Sequence, residues 1–169
     1  TMVQPYFNSV RVLPDHDEIV EQWTLFVLAL ADCNIETAIT FLEKTPAALD
    51  TFGLENLFVW GNQAKEALQN DHRMYKAANA YLAEALADSC SIPLGHWRFL
   101  LEQSAHIAEV SSAAAEAFIK HGNRACLLLN DQETAQWIAE GLAGCQSEEE
   151  LISFFNGTSL SALEKRDGL

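Results

Sequence analysis

The sequence predicts an all-α fold, an α-solenoid of about four helix-pair repeats stacked as a HEAT- or TPR-like superhelix. Two spacings predict it. The four tryptophans, Trp23, Trp60, Trp97 and Trp137, are separated by 37, 37 and 40 residues. A second pattern follows each of them: a small or apolar residue, two free positions, an aromatic and another apolar residue. It reads Ala38-Ile39-Thr40-Phe41-Leu42, Ala78-Asn79-Ala80-Tyr81-Leu82, Ala115-Glu116-Ala117-Phe118-Ile119 and, more loosely, Leu151-Ile152-Ser153-Phe154-Phe155. Its aromatics, Phe41, Tyr81, Phe118 and Phe154, lie 40, 37 and 36 apart. Self-similarity at such periods marks repeat architectures, in which one unit cannot cover its own apolar stripe and stacked neighbours complete the core. The eight aromatics are therefore the expected core of the repeat. Nothing alternates with period two long enough to suggest a sheet.

The elements follow from local punctuation. Residues 1–16 are expected to form an extended N-terminal segment, and residues 17–169 the helical-repeat domain, in units near 17–53, 54–92, 93–130 and 131–169. Asp15 or Asp17 can cap the first helix, and Asn34 can cap the next after a break at Asp32-Cys33. Pro46 suits the first turn of a short following helix, and Gly53 its C-terminal end. Leu54–Gln69 and Asp71–Ser89 form the second pair, hinged near Asn70-Asp71. Pro93, Ser112, Asp131 and Ser147 are starts for the later helices, Ser147 with Glu150 fitting a capping box. Ser159–Arg166 adds a last short helix.

Composition agrees with a folded, water-facing chain. Of 169 residues, 49% are hydrophobic and 20% charged, which excludes disordered, collagen-like and disulfide-scaffold classes. No apolar run approaches the roughly 18–20 residues of a membrane span. The start, Thr1-Met2-Val3-Gln4-Pro5, lacks the basic-then-apolar layout of a signal peptide, so a cytoplasmic location is expected. The net charge is −14, from 24 acidic and 10 basic side chains. Such a surface repels nucleic-acid phosphates and anionic lipid headgroups alike and suits a basic protein partner. The imbalance is greatest between Arg124 and Lys165, where seven acidic residues stand without a Lys or Arg.

Chemistry-bearing motifs are few. Cys33, Cys90, Cys126 and Cys145 form no C-x-x-C pair and sit among small or apolar residues, as buried thiols do. Glu102, His106 and Glu109 share one helical face at i, i+4 and i+7 and are the candidate metal ligands. A di-iron centre needs Glu-x-x-His twice with two further carboxylates, whereas here the spacing is Glu-x-x-x-His and occurs once. Phosphate-binding glycine loops, H-E-x-x-H and G-x-S-x-G are all missing. Glu148-Glu149-Glu150 at a helix start is explained by the macrodipole. Asn156-Gly157-Thr158 matches a glycosylation sequon that a cytoplasmic chain would not use. The sequence thus points to no catalytic residue and no cofactor.

The alternation of a Trp-bearing helix with an A-x-x-[FY]-[LF] helix and a Pro- or Leu-containing turn resembles a known family. It is similar to the helical N-terminal region of bacterial proteins that end in a von Willebrand factor A domain, of the nitric-oxide-reductase-activation and rubisco-activation (NorD/CbbO-like) types. The clearest stretch runs from Ala38 through Pro46 to Leu49 and on through Leu54-Glu55-Asn56-Leu57-Phe58-Val59-Trp60-Gly61, and the likeness extends over residues 17–164. Phe154-Phe155-Asn156-Gly157-Thr158-Ser159-Leu160, with Ala162-Leu163-Glu164, matches the close of such a region. The family's members are adaptors of MoxR-type AAA+ ATPases. Their metal-binding D-x-S-x-S motif is not carried here, since Asp88-Ser89-Cys90-Ser91 has Cys where Ser is required. The resemblance implies a recognition module whose partner is a MoxR-type ATPase or its target.

The expected function is a non-enzymatic protein-binding scaffold. Two alternatives remain at this level: a structural or regulatory spacer in a longer polypeptide, and a helical domain that binds a small molecule or metal.

Overall fold

The computed structural model describes residues 1–87, 94–121 and 129–158. Nine α-helices account for most of them, and no strand occurs among the described residues. They are α1 (Val3–Val12), α2 (Asp17–Cys33), α3 (Ile35–Phe52), α4 (Leu54–Asn70), α5 (Tyr75–Ala87), α6 (Leu94–Ala108), α7 (Ser112–Lys120), α8 (Asp131–Gly144) and α9 (Glu148–Ser153). A 3₁₀ turn, His72–Met74, leads into α5, and a π turn, Phe154–Thr158, follows α9.

Helix starts are set by short polar side chains that accept the first free backbone N–H groups. The Asn34 carbonyl oxygen accepts from the Thr37 N–H at 3.0 Å, and the Ser111 hydroxyl from the Ala114 N–H at 3.1 Å. Asn130 and Glu133 form a complete capping box at the start of α8. At α9 the box is offset. The Ser147 hydroxyl accepts from the Glu150 N–H, but the Glu150 carboxylate reaches back to the Gln146 N–H at 2.8 Å. Neither Asp15 nor Asp17 caps α2: His16 holds that position without a side-chain bond. Gly53 ends α3 and begins α4 at φ 82°, a backbone region that glycine enters without strain.

Two expectations are corrected here. Residues 1–16 are not an extended segment, since Val3–Val12 is helical with Pro5 in its first turn, where the missing N–H costs nothing. Pro46 lies inside α3 and does not open a new helix. The apolar face of α3 runs past it, burying Phe41, Leu42, Thr45 and Ala48 in succession, and this packing holds the helix together across the lost backbone bond. The expected start at Pro93 and the last helix at Ser159–Arg166 fall outside the described residues.

The helices contact one another in two series. α1, α3, α5 and α7 touch in succession, and α7 meets α9 and the π turn. α2, α4, α6 and α8 also touch in succession, less extensively. Each of α2, α4 and α6 packs on the helix that follows it. Small side chains explain the closer series. Ala38 and Ala48 of α3, Ala77, Ala78, Ala80 and Ala85 of α5, and Ala114, Ala115 and Ala117 of α7 are all buried. Axes meet more closely where such residues line the contact. Buried hydroxyls do not oppose this, because they bond within their own helix: Thr45 donates to the Phe41 carbonyl and Ser104 to the Leu101 carbonyl.

The aromatic rings fill the space between the series. Trp23 lies 5.2 Å from Phe41 and 5.6 Å from Phe58, centroid to centroid. Tyr81 packs on Trp97 at 6.2 Å, and Phe118 on Trp137 at 5.8 Å. Trp60 departs from this register, its ring neighbour being Phe52 at 4.4 Å. In the last unit Phe155 is fully buried and Phe154 only half-buried, stacked on Trp137 at 5.5 Å. The π turn rotates the second of the two adjacent rings inward.

Candidate functional site

The residues expected to form the aromatic core are engaged in packing: Trp23, Phe41, Trp60, Tyr81, Trp97, Phe118 and Trp137 are all buried. The Tyr81 hydroxyl donates to the Gln63 side-chain carbonyl, and burial pushes its pKa well up, against the opposing pull of the Arg98 charge. None of these rings lines either groove described below.

Glu102, His106 and Glu109 are exposed and are not gathered into a binding centre. The Glu102 carboxylate accepts from the Arg98 Nε at 3.2 Å, an i, i+4 surface pair. Glu109 lies beyond the end of α6, where its backbone carbonyl accepts from the Arg73 guanidinium at 3.1 Å. Among the described residues, no group of three or more His, Cys, Asp or Glu could hold a metal ion. Cys33 and Cys145 are half-buried rather than buried, and burial and the Glu150 carboxylate raise the Cys145 pKa, opposite to an activated nucleophile. Cys90, Cys126 and the Asp88–Ser91 stretch lie outside the described residues.

Polar groups instead connect successive turns. Asp71 accepts from both the side chain and the backbone N–H of Arg73, which hold its carboxyl below the ordinary carboxylate range. Arg73 donates onward to the Glu109 carbonyl, and the Ser112 hydroxyl donates back to the Arg73 carbonyl at 2.9 Å. The Ser111 hydroxyl reaches the Glu148 carboxylate at 3.1 Å, and the His121 ring bonds the Asn156 side chain at 2.9 Å. The turn before α5 is thereby tied to the turn before α7, and that turn to α9.

Two surface concavities differ in character. Between α4 and α6 a groove of mixed character, about 270 Å³, is lined by Gln63, Glu66, Asn70, Arg98 and Glu102 together with Met74 and Leu101. Between α1 and α2 an apolar one of about 370 Å³ is lined by Val3, Tyr6, Phe7, Thr24, Val27 and Leu28, with Met2 at its edge. Its two hydroxyls satisfy each other. Thr24 donates to the Val20 carbonyl and so accepts from the Tyr6 phenol at 2.7 Å. Phe7 is 54% exposed, Leu25 61% and Leu28 51%, so a contiguous apolar surface faces outward here.

Expecting an extended segment over residues 1–16 hides this surface, because its first wall is helix α1. The signal was present. Val3-Gln4-Pro5-Tyr6-Phe7 repeats the apolar-x-x-aromatic-apolar pattern, and Tyr6 precedes Trp23 by 17 residues, where Phe41, Tyr81 and Phe118 precede the next tryptophan by 19, 16 and 19.

Fold and surface together define an all-α protein whose candidate sites are grooves between helices. Comparison with family models, with curated proteins and with solved structures finds no match for this chain. Among the described residues no helix is long and apolar enough to cross a membrane.

Proposed function

We propose that this chain is a non-enzymatic, protein-binding α-solenoid, the recognition region of an adaptor for a MoxR-type AAA+ ATPase. The observation that carries the scaffold reading is the repeated contact of like with like: α1 on α3, α3 on α5 and α5 on α7, with α2, α4 and α6 following the same order alongside. In this reading α1 is the second helix of a further unit, ahead of the four that begin near residues 17, 54, 93 and 131. Stacking of this kind lays side chains of successive units along one extended surface, the use to which repeat proteins put it. The acidic excess, 24 against 10, gives that surface a preference for basic partners reached in the cytoplasm.

The ATPase assignment draws on the sequence resemblance alone and is tested directly. Purified chain is immobilised, a MoxR-type ATPase from the same source is passed over it, and ATP turnover is measured with and without the chain in solution. Saturable binding with altered turnover is expected. Neither effect at tens of micromolar would remove the adaptor role and leave a spacer.

A further inference from the structure

We propose that the apolar seat between α1 and α2 receives an amphipathic helix of a partner protein, apolar at its centre and basic at both ends. The inference rests on the repeat reading above and adds to it the surface and the chemistry of its occupant.

The first ground is a precedent inside the chain. Shifted by the 37-residue spacing of Trp23 and Trp60, Thr24 and Leu28 correspond to Gly61 and Lys65. That equivalent surface on α4 is occupied. The Phe26 ring of α2 lies over Gly61, close enough that an added Cβ would meet it at 2.5 Å, and the Lys65 ammonium sits 5.6 Å from the ring centroid. The ring is held there by Phe41 and Phe58, at 5.5 and 5.4 Å. On α2 the corresponding surface is walled by Tyr6 and Phe7 of α1 and is open. A helix presenting an aromatic ring fits it as α2 fits α4.

Charge decides which helix. Glu18, Glu21, Leu25, Leu28 and Asp32 are exposed and lie on one stripe of α2, at steps of three and four residues. The stripe is apolar in the middle and acidic at both ends. A second copy of this chain, docked through the same face, would set these carboxylates against their own equivalents in either orientation, and like charges brought together disfavour association. Lys or Arg at both ends of the occupant complements the stripe.

The probe is a synthetic peptide of residues 17–33 in which Asp17→Lys, Glu18→Lys, Glu21→Lys, Asp32→Lys and Cys33→Ser leave the apolar pattern of α2 intact. The unaltered 17–33 peptide serves as the acid-flanked control. Fluorescence anisotropy against the full chain is expected to show saturable binding of the basic peptide, weakened by salt, and at least about tenfold weaker binding of the control. Phe7→Asp and Leu28→Asp are each expected to weaken the basic peptide by about tenfold or more. Both side chains are exposed, so the helical circular dichroism of the variants stays unchanged. Equal affinity for the two peptides, or affinity indifferent to both variants, would overturn the proposal. So would sedimentation showing a dimer that Leu28→Asp dissolves. The ATPase measurement is independent of all these outcomes, so a failure here is separable from a failure of the adaptor reading.

Discussion

The indole N–H of Trp23 donates to the Ser9 hydroxyl across 3.1 Å, joining α2 to α1 through a bond between two fully buried side chains. Ser9 in turn donates to the Tyr6 carbonyl at 2.7 Å, so the serine is a relay that satisfies the indole without leaving its own proton unplaced. Ser9→Ala removes the acceptor and strands a buried N–H, which is expected to cost about 1–3 kcal/mol. Urea denaturation followed by tryptophan emission would measure it. A cost within error of zero would show that α1 does not hold the position described.

Large-to-small changes in the aromatic core should be severe. Trp60→Ala and Phe118→Ala are each expected to lose about 3–5 kcal/mol, the range for large aromatics truncated inside a packed interior. Their rings touch different neighbours, Phe52 for Trp60, and Trp137 and Phe155 for Phe118. The double variant should therefore show nearly additive losses in chemical melts.

Gly61 tests packing against propensity. An alanine would gain about 1 kcal/mol of helix propensity in the interior of α4. Its Cβ, however, would lie 2.5–2.7 Å from the Phe26 ring and 3.1 Å from Phe41. Phe26 cannot swing away freely, because Phe41 and Phe58 flank it. Overpacking of this kind costs about 1–3 kcal/mol, so Gly61→Ala is expected to destabilise on balance. A gain in melting temperature would refute this placement of the α2–α4 contact.

Pro46 makes the opposite case. Its ring removes one backbone bond from the interior of an 18-residue helix that continues on both sides. Pro46→Ala restores that bond and should raise stability by about 1–3 kcal/mol, seen as a higher denaturant midpoint at unchanged slope. A loss would contradict this account of Pro46.

Alkaline pH should act through Tyr81. Burial favours its neutral phenol, which also donates to Gln63, so its pKa in the folded state is raised above the unfolded value. The stability this provides is whole below the ordinary tyrosine range, near about 10, and is lost as pH rises through the raised folded value. Tyr81→Phe should flatten that alkaline loss. Phenolate absorbance and helical ellipticity recorded along one titration would check it, and Tyr81 ionising before any helix is lost would contradict it.

Much of the fold was legible in the residues because the signals are local or periodic. Asn34 and Ser147 act as helix caps because short polar side chains reach backbone N–H groups a few residues away. The 37-residue recurrence of Trp23, Trp60 and Trp97 identified buried faces before any contact was known. Local rules misled where tertiary packing outweighed them, as at Pro46. They misled again at Phe154 and Phe155, two adjacent rings whose burial depends on how a single turn is wound.

Composition and spacing alone determined that the chain is helical, strongly acidic and organised around evenly spaced aromatic residues. These properties belong to residue type and period, which do not depend on what lies across the core. Only the tertiary structure decided that Glu102 and His106 face solvent, with no third ligand beside them among the described residues, and that α1 is a packed helix. It also decided that Tyr6, Phe7, Thr24 and Leu28 converge on one open apolar surface. A surface of that kind is made by two segments meeting in space, and no property of either segment taken singly records the meeting.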